Sequence, residues 1–256
     1  MRRIIGLLTA LTLILLVGTT AMATLPPGGT FLDDDCCEHE GHIEALVAAG
    51  LTDGCSVDPS LYCPLQPVTR AEMAAFVLRS TGLLDDSLPH RGMFGDVPAG
   101  AWFAPAAEQA TELGIMSGFD GGLFRPDSST TRFEVAVYLV RALEGETELK
   151  SATGRFADVP ASVWYAPHVE RLAALGITAG CSADGTLFCP TSHVTRAQMA
   201  SFLARALGLD PITPPPRPVT TSTAAEATTS TGSGTSTTTT TVPLTTTTTC
   251  PPEVDT

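Results

Sequence analysis

The chain has 256 residues, 43% of them hydrophobic, and a formal net charge of −13. That acidic balance excludes nucleic acid as a partner, since binding it requires a basic surface. Any anionic ligand must be held by a few focused cations, and with Lys150 the only lysine these are arginines, whose fork suits carboxylates and phosphates.

Residues 1–23 carry Arg2 and Arg3, an apolar run from Ile4 to Val17, and Ala21-Met22-Ala23. This is the pattern of a secretory signal peptide with an A-x-A cleavage site, not of a membrane span. No cysteine stands at that site and no second apolar run follows. The mature chain is therefore expected to be exported, without a lipid anchor or membrane span, and associated with the cell wall or surface. Without Arg2 and Arg3 its charge is −15.

Residues 24–210 form a threefold internal repeat, with units at 24–89, 90–152 and 153–210. VTRAEMAAFVLR (68–79), TTRFEVAVYLVR (130–141) and VTRAQMASFLAR (194–205) set its phase, with arginines spaced by 62 and 64 residues. FLD (31–33), FGDV (94–97) and FADV (156–159) precede them. A period this long indicates stacked or ring-packed units in one composite domain. The fold class is mainly α: each unit reads as helix, loop, helix, with apolar faces meeting centrally. The first helix of unit three stops at Gly176, and Asp120-Gly121 and Asp184-Gly185 mark loop turns.

The second helix of each unit opens on a threonine with Glu or Gln three residues on, a capping box. An arginine then occupies the first helical position, where the helix dipole disfavours a cation. Arg70, Arg132 and Arg196 are thus candidate ligand groups, because free N–H groups at a helix start plus a bidentate side chain make an anion site. The alternative is that they bridge to aspartates such as Asp96 or Asp158 and hold the units together.

Cys55 and Cys63 span the loop of unit one, and Cys181 and Cys189 span that of unit three at the same spacing. Unit two has Phe119 and Arg125 there, so both cysteines are absent together. In an exported chain this predicts Cys55–Cys63 and Cys181–Cys189 disulfides. The partners of Cys36, Cys37 and Cys250 stay open.

F-x-D-V, W-[FY], G-I, D-G-x-[LF]-F-x-P and T-R-A-E in this order resemble the S-layer homology family, over residues 30–208. Units two and three carry the match best, through Phe94, Asp96, Val97, Trp102, Gly121, Phe124, Pro126, Thr131, Arg132 and Glu134, and through Phe156, Asp158, Val159, Trp164, Gly185, Phe188, Pro190, Thr195 and Arg196. Gln198 replaces the glutamate in unit three. Unit one has Phe31 and Asp33 but neither the valine nor the tryptophan, and with its bridged loop it resembles a variant of the repeat from high-GC bacteria. The resemblance implies a three-repeat pseudo-trimeric helical fold that binds secondary cell-wall polysaccharide, which carries ketal-linked pyruvate in some members. It also implies that the T-R-A-E arginine helps hold the polymer.

Trp102 and Trp164 are candidates for stacking on a sugar, although packing beneath the first helix is the commoner use of such a residue. His39-Glu40-Gly41-His42 has the wrong spacing for the H-E-x-x-H zinc motif and reads as an acidic helix start with solvated histidines. The run Asp33-Asp34-Asp35 reads as a solvated turn. No nucleophile–base set is apparent, so neither enzymatic activity, a cofactor nor a metal is expected. From Pro211 the chain is Pro- and Thr-rich and reads as a stalk or a disordered tail. Extended, its 46 residues would reach on the order of 140 Å at about 3.1 Å per residue. The leading function is a non-covalent cell-wall anchoring module; the alternative is a secreted structural or adhesion protein whose repeats bind protein.

Overall fold

Three helices begin at the T-R pairs because the threonine and the residue three positions on satisfy one another's backbone. Thr69 N–H donates to Glu72 Oε2 at 2.8 Å and Glu72 N–H returns to Thr69 Oγ1 at 3.2 Å. The same box forms at Thr131 with Glu134 and at Thr195 with Gln198. The computed structural model describes residues 29–35, 38–145 and 148–214. The expected signal peptide, most of the Pro/Thr tail, and Cys36, Cys37 and Cys250 lie outside them.

The described chain is mostly helical: α1 (Glu40–Ala48), a two-stranded hairpin of β1 (Ser56–Val57) and β2 (Ser60–Leu61), then α2 (Arg70–Ser80), α3 (Ala104–Glu112), α4 (Arg132–Glu144), α5 (Ala166–Ala174) and α6 (Arg196–Ala206). In the hairpin Ser56 faces Leu61 and Val57 faces Ser60. Proline at the start of α3 and α5 fits positions where no backbone donor is needed. Just past α5, Gly176 takes φ +74°, the left-handed stop expected of it.

The helices pair across units. α3 lies on α2, α5 on α4, and α1, the first helix, on α6, the last, while α2 also touches α4. One apolar cluster runs through all of them, including Ile43 and Leu46 of α1, Met73 and Leu78 of α2, Leu139 of α4, Leu172 of α5 and Met199 and Leu203 of α6. Burying each such side chain contributes about 1.5–3 kcal/mol. Ile212 N–H donates to Gly41 carbonyl at 2.9 Å, which pins the segment after α6 to the start of α1. Among the described residues no helix is long and apolar enough to cross a membrane.

The front of unit one differs from its sequence reading. Asp33 accepts the amides of Tyr62 and Cys63 at 2.7 and 2.9 Å, and Asp34 is fully buried. The acidic run is therefore solvated only at Asp35, which is exposed in a turn. Burial, reinforced by Glu44 and Glu40, carries the Asp34 carboxyl up to about 7. The histidines are not solvated either: Nδ1 of His39 and of His42 approach Ser201 Oγ at 2.7 and 2.9 Å, tying α1 to α6.

Candidate functional site

The segments leading into α2, α4 and α6 meet one another. Val68 N–H donates to Val194 O at 2.8 Å, Val194 N–H to Thr130 O at 3.0 Å, and Thr130 N–H to Val68 O at 2.8 Å. This closed triangle brings all three helix starts together. It also removes the donors that an anion would have used. Arg70 and Ala71 amides donate to Ser128 and Pro126 carbonyls, Arg132 and Phe133 to Ser192 and Pro190, and Arg196 and Ala197 to Gln66 and Pro64. The expectation of free N–H groups there is corrected: a neighbouring loop occupies them.

The arginines follow the same cyclic plan. Arg70 is 2% exposed, Arg132 4% and Arg196 3%. Arg70 Nε donates to Phe124 O, Arg132 Nε to Phe188 O and Arg196 Nε to Tyr62 O, at 2.8–2.9 Å. Each guanidinium also lies over aromatic rings, Arg70 over Phe119 and Phe124, Arg132 over Phe188 and Phe202, and Arg196 over Tyr62 and Phe76. The low local dielectric strengthens these contacts and makes their loss costly.

Asp96 and Asp158 do not pair with the arginines. Asp96 accepts the amides of Phe124 and Arg125 at 2.8 and 2.7 Å, and Asp158 those of Phe188 and Cys189 at 2.9 and 2.7 Å. One aromatic residue per loop is thus clamped twice, its N–H by an aspartate and its C=O by an arginine of another unit. The residue after it takes positive φ: 59° at Cys63, 57° at Arg125 and 56° at Cys189. Burial pushes the Asp96 carboxyl up, but its two amide bonds prevail and hold it below the ordinary value. Both expected disulfides, Cys55–Cys63 and Cys181–Cys189, are present with Cα atoms 6.0 Å apart.

The tryptophans are not packed beneath the first helices. Trp102 is 60% exposed and Trp164 63%. Trp102 stands edge-on to Phe103, and Trp164 edge-on to Phe133 and Tyr165. Trp102 reaches a cleft of about 400 Å³ whose lining includes Thr52, Glu72, Phe76, Arg79 and Arg196. A second cleft, of about 210 Å³, has the corresponding residues of unit three: Thr178, Gln198, Phe202 and Arg205, with Arg132. A sugar could stack on the exposed ring while the arginines hold its acidic group.

Phe76, Tyr138 and Phe202, and Arg79, Arg141 and Arg205, were not singled out from the sequence as site residues. The signal was available, since each of these arginines falls nine residues beyond its T-R arginine. In unit two Arg70 Nη1 donates to Tyr138 OH at 2.7 Å, and burial holds that phenol up at about 12 despite the nearby cation. Another cleft, of about 670 Å³, lies between the end of α4 and α5. Within it Arg171 is engaged with Glu144, and Glu170 with the amides of Thr153, Gly154 and Arg155, while Glu148 and Lys150 also line it.

The S-layer homology domain model matches residues 94–136 and 155–200. The chain is 35% identical over 165 residues to an amylopullulanase of Thermoanaerobacterium thermosulfurigenes, covering 63% of this chain and 8% of that one. It is 32% identical over 169 residues to the surface-layer 125 kDa protein of Lysinibacillus sphaericus, covering 64% and 14%. To the cellulosome-anchoring protein of Acetivibrio thermocellus it is 29% identical over 157 residues, covering 59% and 34%. The similarity therefore spans about a third or less of each relative's length.

Proposed function

This chain is an S-layer homology domain protein associated with the cell surface, and we propose that it anchors itself there by binding an acidic secondary cell-wall polysaccharide non-covalently. In this reading residues 24–89, 90–152 and 153–210 are three repeats of one pseudo-trimeric domain, the tail is a spacer, and the polymer carries carboxylate groups such as ketal-linked pyruvate. Arg70, Arg132 and Arg196 act with Trp102 and Trp164, while Asp96 and Asp158 hold the loops that shape the clefts. The observation that carries it is the cleft between units, where Trp102, Arg79 and Arg196 share one surface. Its dimensions and residue types suit a sugar with one charged substituent.

Relatives that include surface-layer and cellulosome-anchoring proteins support anchoring as the role. The test is co-sedimentation of the mature, disulfide-intact chain with purified wall sacculi, before and after the secondary polymer is stripped. Loss of binding on stripping is expected. Binding that survives complete stripping favours protein-binding repeats instead.

A further inference from the structure

The seam between α1 and α6 is built differently from the other two helix pairs. Just before α1 and at its third residue stand His39 and His42; α3 has Phe103 and Ala106 there. The sixth residue of the partner helix is Ser201 in α6 and Ala75 in α2. α5 repeats the second histidine as His168, but the sixth residue of α4 is Val137. A hydroxyl at this place is thus particular to the α1–α6 seam.

That hydroxyl is shared. Nδ1 of His39 lies 2.7 Å from Ser201 Oγ and Nδ1 of His42 2.9 Å, and Ser201 is 2% exposed. A hydroxyl has one proton to donate, so all three groups are satisfied when one ring accepts it and the other donates its own. A further proton on the accepting ring removes that acceptor. Arg205, one turn beyond Ser201, is held by its Nη1 donating to Ile177 O at 3.3 Å, so a charged His42 has a fixed like charge nearby. The carboxylates of this region have other contacts. Glu38 is 77% exposed and lies 3.7 Å from His39 Nε2, Glu44 accepts the Thr30 amide, and Asp34 interacts with Glu44 and Glu40.

The turn between the two histidines also carries the segment that follows α6. Ile212 N–H donates to the Gly41 carbonyl. The lack of a side chain at Gly41 admits this strap, since a Cβ there would stand 3.0 Å from Pro211 Cβ and 3.2 Å from the Ile212 carbonyl oxygen. Residues 39–42 are therefore held by α6 through imidazole and hydroxyl, and by the strap through backbone. We infer that this seam is a proton-operated latch: a proton taken up at His42 parts the start of α1 from α6 and frees the strap at Pro211 and Ile212, while the α2–α3 pair, apolar at the same places, stays closed. The latch does not depend on what the domain binds.

Burial, then Arg205 and His39, holds the His42 pKa below 6.5, so the open seam takes a proton that the closed one refuses. Closure is favoured above about pH 6.5 and weakens as pH falls towards the folded pKa, with a ceiling of about tenfold per pH unit for one proton. Asp34 acts in the opposite sense. Burial, Glu44 and Glu40 carry its carboxyl up to about 7, and its protonation below that pH favours the folded form.

The test is amide hydrogen exchange on the mature, disulfide-intact chain, each rate divided by its intrinsic rate at that pH so that the opening equilibrium alone is read. From about pH 7.5 to 5.5 the protection of Ile212 and of the α1 amides should fall about threefold to tenfold. Protection of α3 should hold or rise, because a proton on His90 strengthens its pair with Glu108, 3.1 Å away. Asp34→Asn should keep the fall at Ile212 and His42→Gln should remove it. An NMR titration of the His42 ring in the native chain needs no variant and should give a midpoint below 6.5. Protection at Ile212 that ignores pH, an equal fall in α3, a fall retained in His42→Gln, or a ring midpoint at or above 6.5 overturns the inference.

Discussion

Units two and three build the same loop with different chemistry. In unit three Cys181 and Cys189 close it covalently. In unit two the equivalent residues are Phe119 and Arg125, and the guanidinium sits over the ring at 4.2 Å. A cation–π contact thus stands where the disulfide stands in the other unit. The backbone beyond is shared, with nearly equal positive φ at Arg125 and Cys189 and an aspartate clamping two amides in each. The disulfide therefore reinforces a geometry that the aspartate and the cross-unit arginine already define.

Removing the clamp should break that equivalence most. Asp96→Ala strands the amides of Phe124 and Arg125 and should cost about 2–4 kcal/mol in urea denaturation. Asp158→Ala should cost less, because a covalent bridge still closes its loop; equal losses would show that the bridge contributes nothing there.

Reduction is the next largest effect. Opening each bridge should cost at most about 2–3 kcal/mol by freeing the unfolded chain. Hydrogen exchange should then quicken in 55–63 and 181–189 while 119–125 keeps its protection, and helical circular dichroism should change little. Arg125→Ala should cost only about 0.5–1 kcal/mol, since the cation–π pair is exposed. Replacing Phe119 and Arg125 together with cysteine should give a third bridge in air, seen as a linked peptide after non-reducing digestion.

The smallest effect separates units one and three, which share the bridge. Burial, then the charges of Arg205 and His39, lowers the His42 pKa below 6.5. The folded state thus resists the proton that the unfolded chain accepts. The stability from neutral His42 is present above about pH 6.5 and is lost as pH falls through its folded pKa. His42→Gln should flatten the acid side of a melting-temperature profile; an unchanged slope would assign it to other groups.

Much of this was legible in the sequence because it is local. Capping boxes, glycine stops and the paired loss of two cysteines all act within a few residues, and each appears where its spacing placed it. The partner of each helix was not legible, since an apolar stripe says that a face is buried but not against what. For the same reason the arginine problem was only half solved. The sequence showed a cation at an unfavourable helix position. Its real environment, a carbonyl 54 to 134 residues away and aromatic rings 49 to 134 residues away, arises only when distant segments pack. The histidines misled for a related cause: Ser201, which engages both, lies 159 residues from His42.

The bond from Ile212 to Gly41 has a mechanical side. A pull on the chain beyond Ile212 is delivered to the start of α1 as well as to the end of α6, the first and last helices, which pack on each other. Tension therefore bears first on the α1–α6 seam, where His39, His42 and Ser201 meet and which the cleft carrying Arg132 and Arg205 adjoins. A chain loaded this way is stressed at one place, so anything bridging that seam would resist the load directly.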